Sequence, residues 1–512
     1  MSDIEVRGGA GGIAVALDDL ALAASRLRSL AGDVLDLAAT LTALGVHPAL
    51  APTAVLAPGE TLAVEGEILR LAGPSGLLGE AASLRTLAET VDLATDLYRA
   101  GEAGARHLVE RVDRATGLAL GLAVPTVVLP ALTTVVLGAA VLRSPPLSPS
   151  GTAGFLGHVI GLARAAPRHV GGTVDEALFE HPWLLERAAA GAEGAVVGLG
   201  LGLPPGGIYL AWASRQGGVA YPPTTQEGAV AVINAAGGGH FFDESAFDVV
   251  TTPRPVDTTG WRRPGSLADL VGEDAAVSGQ GAVRVSGVPL TDGRYVWVVD
   301  IPGTQTFTPV PGSNPFDQTS NQLLEAGERT LTMTAVTRAL SDAKRRAGRG
   351  VSGRDDPVMT LGHSQGGITA AALSADSLFR ARHPGISHVT TTGAPIGGIA
   401  VPRGVRVLSV EHRQDLVPAL DGRRNPAHGD WVTVSRALPE PAGAEGRASG
   451  AHASELYVGT AETIDRSAAD DPSLRAWREG AGPFLGGAGG EVDPSRPVVV
   501  VDYDVRRVPR GG

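Results

Sequence analysis

The sequence predicts an α/β protein, a doubly wound and mostly parallel sheet preceded by an all-α helical hairpin. Three observations predict it. From about residue 245 short apolar runs alternate with helix-prone stretches. A Gly-x-Ser-x-Gly turn joins one of those runs to a helix of small residues, and two long amphipathic periodicities occupy the first 113 residues.

The N-terminal periodicity is regular. Ile13, Leu17, Leu20, Ala24, Leu27, Ala31, Val34, Ala38 and Leu41 recur at steps of four and three, with Asp18, Asp19, Arg26, Arg28, Asp33 and Asp36 elsewhere on the wheel. Gly45 and Pro48 end that helix. A second runs from about Leu77 to Asp113, with Leu84, Ala88, Val91 and Tyr98 on one face. Two such stripes must be buried against each other or against a partner. Residues 115–142 then carry no charged side chain between Arg114 and Arg143. About 20 apolar residues suffice to cross a bilayer, so this run is a candidate for membrane contact. The uncharged run 194–214 is a weaker candidate, broken by Pro204-Pro205. Both read equally as helices of an Ala/Gly-rich core. The chain therefore divides at the sequence level into 1–114, 115–215 and 216–512.

Composition removes several classes of function. The formal net charge is −12 and Lys344 is the only lysine, so nothing draws the chain as a whole toward phosphate backbones, and nucleic acid is not an expected partner. Without cysteine there is no disulfide, thiolate metal site or thiol nucleophile. The start, Met1-Ser2-Asp3-Ile4-Glu5, lacks the basic and apolar regions of a Sec signal peptide. A cytoplasmic, membrane-associated or signal-independent exported location is expected.

In the C-terminal part, Val283–Val288 and Arg294–Ile301 flank an Asp292-Gly293 turn and predict a β-hairpin at an antiparallel sheet edge. Residues 321–347 predict a helix and Pro357–Leu361 a short buried strand. A helix over 365–382 and strands at 387–392, 404–410, 430–435 and 497–505 follow.

The chemistry centres on Gly362-His363-Ser364-Gln365-Gly366, set between the strand Val358–Leu361 and a helix beginning near Ile368. A nucleophile elbow places serine in a tight strand-to-helix turn, where only glycine two before and two after avoids collision. Serine needs a base and the base an orienting carboxylate, which follow in the order Ser, acid, His in this arrangement. Asp415 lies just beyond a predicted strand, with Glu411 and Asp421 as alternatives. His452 and His428 are the histidines after it, and His452 fits the expected end of the sheet better. His363 is expected to point into the scaffold beneath the elbow. Two backbone N–H donors must hold the oxyanion. Gln365 supplies one, and the loop Pro302-Gly303-Thr304-Gln305 supplies the other through Thr304. No metal or cofactor is required.

Pro302-Gly303-Thr304, Gly362–Gly366, Gly393-Ala394-Pro395, Asp415-Leu416-Val417-Pro418 and His452 together resemble the successive motifs of the class 3 lipases, an α/β-hydrolase family. Pro302 stands where that family usually has arginine. The resemblance implies a Ser364–Asp415–His452 triad, an oxyanion hole at Thr304 and Gln365, and hydrolysis of a lipid-like ester. The N-terminal hairpin resembles helical substrates of type VII secretion in actinobacteria, though it lacks their Trp-x-Gly turn. That resemblance implies export and a small helical protein partner. The competing functions are an exported, membrane-acting effector and a catalytically inert binding scaffold, and acyl transfer or peptide hydrolysis would use the same triad.

Overall fold

The computed structural model describes residues 4–45, 47, 55–123, 189–202, 206–237, 241–308, 310–438 and 450–510. It comprises two compact units, Ile13–Val109 and Met1–Gly12 with Glu110–Gly512.

The smaller unit is helical: α1 (Ile13–Gly45), α2 (Pro58–Ala72) and most of α3 (Leu77–Ala123). Of the stripe predicted on α1, Ala24, Ala31 and Ala38 are buried, whereas Leu20 stays exposed. Ala81, Ala88 and Thr95 are buried on α3. The Asp/Arg positions opposite the stripe join the helices through Arg28–Asp92 and Arg99–Asp18 ion pairs. Both pairs are solvent-exposed and contribute little to stability.

The larger unit is a mixed α/β structure built on nine strands. These are β1 (Ile4–Gly8), β2 (Phe247–Pro255), β3 (Ala282–Pro289), β4 (Tyr295–Ile301), β5 (Val358–His363), β6 (Ile386–Thr392), β7 (Arg406–His412), β8 (Trp431–Arg436) and β9 (Val499–Pro509). Their order is β1-β8-β7-β6-β5-β4-β3-β9-β2. Pairings from β4 to β8 are parallel, and the outer pairings are antiparallel. Three helices, α4 (Ala192–Gly202), α5 (Gly206–Gln216) and α6 (Gln226–Ala236), gather around Val196, Ala229 and Val232. The sheet is flanked by α7 (Leu267–Ser278), α8 (Gln318–Glu325), α9 (Leu331–Arg346), α10 (Gln365–Ala375), α11 (Ser377–Arg382), α12 (Ser454–Ser467), α13 (Pro472–Gly480) and α14 (Gly482–Leu485).

Side-chain alternation along the strands makes two cores. Trp297, Val299 and Ile301 of β4 join Val336 and Leu340 of α9 and Ile368 of α10 on one face. Val296 and Val298 join Leu270 of α7 and Ile464 of α12 on the other. A strand buried on both faces reads as a continuous apolar run, which is why β4 and β5 are legible in the sequence.

The structure departs from the sequence expectations at five places. Both faces are covered, as in a doubly wound sheet, but the parallel strands follow one another in a single direction. Coverage of the second face comes instead from helices before β3 and after β8. The β3–β4 hairpin is internal, because β9 and β2 lie outside it. The helix predicted over 321–347 is two, separated by Gly327 in a left-handed conformation and restarted by Thr330, whose hydroxyl caps Met333 N–H. The predicted 365–382 helix is also two, with Asp376 capping the second. Finally, Ile4–Gly8, assigned above to the helical domain, is an edge strand on β8.

Residues 124–142 of the apolar run lie outside the described residues, and 115–123 close α3. The described parts of 194–214 form α4 and most of α5. Among the described residues no helix is long and apolar enough to cross a membrane.

Candidate active site

Ser364 sits between β5 and α10 with φ 56° and ψ −124°. Among the described non-glycine residues it shares positive φ only with Phe242. Such a conformation is strained and persists only when its surroundings enforce it. Ser364 N–H donates to Thr392 C=O at 2.9 Å, fastening the turn to β6. The flanking glycines are required by contact. A Cβ on Gly362 would lie 2.3 Å from the Gly366 carbonyl carbon, and one on Gly366 would lie 1.9 Å from Ile301 O.

Asp415 follows β7 and is buried. Its Oδ2 accepts His452 Nδ1–H at 2.7 Å and the Tyr457 hydroxyl at 2.6 Å, and its Oδ1 accepts Val417 N–H at 2.9 Å. Burial alone would raise this carboxyl. The His452 hydrogen bond and charge, the Tyr457 hydroxyl and Val417 N–H outweigh burial and hold it below the ordinary aspartate value. His452, two residues before α12, is partly exposed and lays its ring on that of His363, 4.4 Å between centroids. Burial, followed by the charge of His452, pushes His363 down to about 3, so it is a neutral platform. Its Nδ1 meets Thr392 Oγ1 at 3.2 Å, so the ring expected beneath the elbow lies instead against the candidate base.

The two proposed donors are free for a ligand. Among the described residues nothing accepts the Thr304 or Gln365 N–H. Gly303 lies against the nucleophile, since a Cβ there would be 3.5 Å from Ser364 Cβ. The Gln365 side chain turns inward, its Nε2 donating to Asp317 C=O at 2.8 Å. The Thr304 hydroxyl is held by Asn321 Nδ2 at 3.0 Å. Both donors are thus tied to the N-terminal half of α8.

The chain matches no protein-family model, no curated protein and no solved structure.

The site therefore rests on its own geometry. Asp415 and His452 are directly bonded, and Ser364, Thr304 and Gln365 are adjacent through Gly303 and the elbow. One expected link is not made: Ser364 Oγ has no hydrogen-bond partner among the described residues. The alternatives fall elsewhere. Glu411 accepts from Ser409 and Asn425, Asp421 accepts Gly398 and Arg423 N–H groups, and His428 packs edge-on against Trp431.

Two residues were missed by sequence reasoning. Tyr457 clamps the acid and stacks on His412, with ring centroids 3.8 Å apart. His412 Nδ1 lies 2.9 Å from Ala451 C=O, fixing the residue beside His452. In the sequence Tyr457 stands in the stretch Leu456-Tyr457-Val458, and only its position five after His452 places it near the base. Tyr457→Phe removes a donor that lowers the acid, so the Asp415–His452 pair is expected to protonate at higher pH. The acidic limb of the kcat/KM profile should move upward, and kcat should fall by about tenfold, the worth of one hydrogen bond to a charged group. A pH series of initial rates checks both.

Proposed function

We propose that the chain is a serine carboxylic-ester hydrolase of the α/β-hydrolase type, similar to the class 3 lipases, working through an acyl-enzyme on Ser364. The observation that carries the reading is the combination at one sheet end of a strained strand–Ser–helix elbow with a His452 bonded to the buried Asp415.

In the reaction Ser364 Oγ attacks the ester carbonyl as His452 Nε2 takes its proton. Thr304 and Gln365 N–H groups hold the alkoxide oxygen. Collapse expels the alcohol, which takes the proton from His452, and leaves an acyl group on Ser364. Water repeats the sequence, losing its proton to His452, and releases the carboxylic acid. Asp415 holds the imidazole tautomer and stabilises its cation throughout.

Fluorophosphonate labelling with peptide mapping tests this, beside a p-nitrophenyl ester series. A single adduct on Ser364 and turnover of at least one ester are expected. Folded protein that neither labels nor turns over, with and without detergent or liposomes, would overturn the reading. The unmade Ser364–His452 bond favours a second reading, an inert scaffold that keeps the fold for binding, and that outcome would select it.

A further inference from the structure

The edge strand β1 borders the loop that carries the candidate acid. Pairing runs Gly362–Thr391–Ser409–Thr433–Arg7 across β5, β6, β7, β8 and β1, so Arg7 lies in the same cross-strand row as the first glycine of the elbow. Alternation along β1 sends Ile4 and Val6 into the second core and puts Glu5 and Arg7 on the opposite face. The strand is firmly seated. Ser473 Oγ–H donates to Gly8 C=O at 2.8 Å and accepts Gly11 N–H at 3.0 Å. Gly8 has φ 76°, and a Cβ there would lie 2.1 Å from Trp431 O.

From that edge β1 and the turn after it hold the loop between β7 and β8 in three ways. Glu5 pairs with Arg413, two residues before Asp415. Arg7 Nη2–H donates to Asn425 C=O at 2.9 Å, and Gly9 N–H donates to His428 C=O at 3.0 Å. The three differ in strength. The Glu5–Arg413 pair is exposed on both sides and contributes little. Gly9 N–H is shared with Trp431 C=O at 2.9 Å and so belongs to the strand end. Arg7 is half-buried, and its bond to the buried Asn425 is charge-assisted.

Asn425 in turn closes the loop on its own root. Its Nδ2 donates to Glu411 Oε1, which also accepts Ser409 Oγ–H at 3.1 Å. Glu411 stands on β7, four residues before Asp415. Burial pushes the Glu411 carboxyl up to about 7 and Asp421 adds to this, while the Ser409 bond, the Arg7 charge and the Asn425 bond pull it down. A positive charge at position 7 therefore fixes Asn425 and also favours the ionised acceptor that Asn425 bonds. We propose that Arg7 is a positioning residue for the candidate acid, holding through Asn425 and Glu411 the loop path that presents Asp415 to His452. Its effect on rate rests on the hydrolase reading above. Its hold on the loop does not.

The full chain carrying Arg7→Gln, Arg7→Lys or Glu5→Gln tests both. Each leaves the Gly8, Gly11 and Ser473 bonds that seat the strand. In amide hydrogen exchange without substrate, residues 413–428 are expected to lose about tenfold in protection in Arg7→Gln, with β5 and α10 unchanged. Arg7→Lys, which restores a charged donor, should recover most of it. On an activated ester kcat should fall by about tenfold in Arg7→Gln with KM unchanged, the worth of one hydrogen bond from a charged group. Against the residual rate of Asp415→Asn the same substitution should cost less than about twofold, because its route to the rate is already gone. Full additivity with Asp415→Asn, or unchanged exchange of 413–428 in Arg7→Gln, would overturn the proposal. So would faster exchange throughout the sheet, which would make Arg7 a general support of the fold. Glu5→Gln should leave both readouts within about twofold of wild type. A loss equal to that of Arg7→Gln would assign the effect to the strand edge as a whole and remove it from Arg7. Faster exchange confined to 413–428, in a protein whose wild type turns over no ester, would count against the hydrolase reading alone and leave Arg7 as the anchor of the loop.

Discussion

Ser364→Ala and His452→Ala are each expected to lower kcat for ester hydrolysis by about 10⁴- to 10⁶-fold, and the double variant by no more than the worse of the two. The reason is that in the proposed mechanism the serine and histidine act as one unit. Without His452 no described group is placed to take the Ser364 proton, and without Ser364 the His452–Asp415 pair has no nucleophile to serve. Residual rate comes from whatever the Thr304 and Gln365 N–H groups still contribute. Asp415→Asn should be milder but large. It removes the carboxylate that fixes His452 Nδ1–H and leaves the Tyr457 hydroxyl facing a neutral amide. Rates of the four variants on one activated ester, corrected for active-site titre, decide the matter. Additive losses for Ser364→Ala and His452→Ala would mean that the two do not work together. Because Ser364 Oγ is unbonded here, that result would also say the relay does not close when substrate binds.

Much of this site is legible in the sequence because its parts are local. Glycine at 362 is required by contact within the elbow itself and glycine at 366 by the approach of Ile301 O on the neighbouring strand, while the strand before the elbow is buried on both sides and mostly apolar. Asp415 and His452 are legible as the candidate acid and base because they follow Ser364 in order, each past a strand. The parts that could not be read depend on distant chain. β1 pairs with β8 across more than four hundred residues, and five residues at the N-terminus carry no pattern that names such a partner. β2 contains Pro253 and Pro255, which argue against a strand until its place at the sheet edge is known. The break between α8 and α9 depends on one left-handed glycine within an otherwise helical periodicity. Tyr457 and Asn321 acquire their roles from neighbours far away in sequence, so nothing local marks them.

Arg507 shows the same dependence in energetic form, and its replacement by Met is expected to destabilise the larger unit by about 3–5 kcal/mol. Its side chain is fully buried between Glu244, at 2.7 Å, and Asp317, at 2.5 Å. It also donates to Ser320 Oγ and Asn314 C=O. Burial would lower the guanidinium, but the bonds and charges of Asp317 and Glu244 more than restore it. Burial raises Glu244 even with Arg507 present. Without the arginine both carboxylates would be buried with no cation, and the folded-state value of Glu244 would rise further above its unfolded one. A raised folded value gives stability that is present below the unfolded value and is lost as pH rises. The deficit of Arg507→Met should therefore be greatest near neutrality and shrink as pH falls toward about 4. Urea midpoints at several pH values measure it, and Glu244→Gln with Asp317→Asn should recover part of it at neutral pH. A functional consequence follows from where Asp317 lies. It caps α8 through Ser320 N–H, and its carbonyl holds the Gln365 side chain beside the nucleophile. Under conditions where Arg507→Met remains folded, kcat should still fall by about tenfold, because both oxyanion donors hang on that helix. A variant that lost stability but kept full kcat would show that α8 holds its position without β9, and would confine Arg507 to a purely structural role.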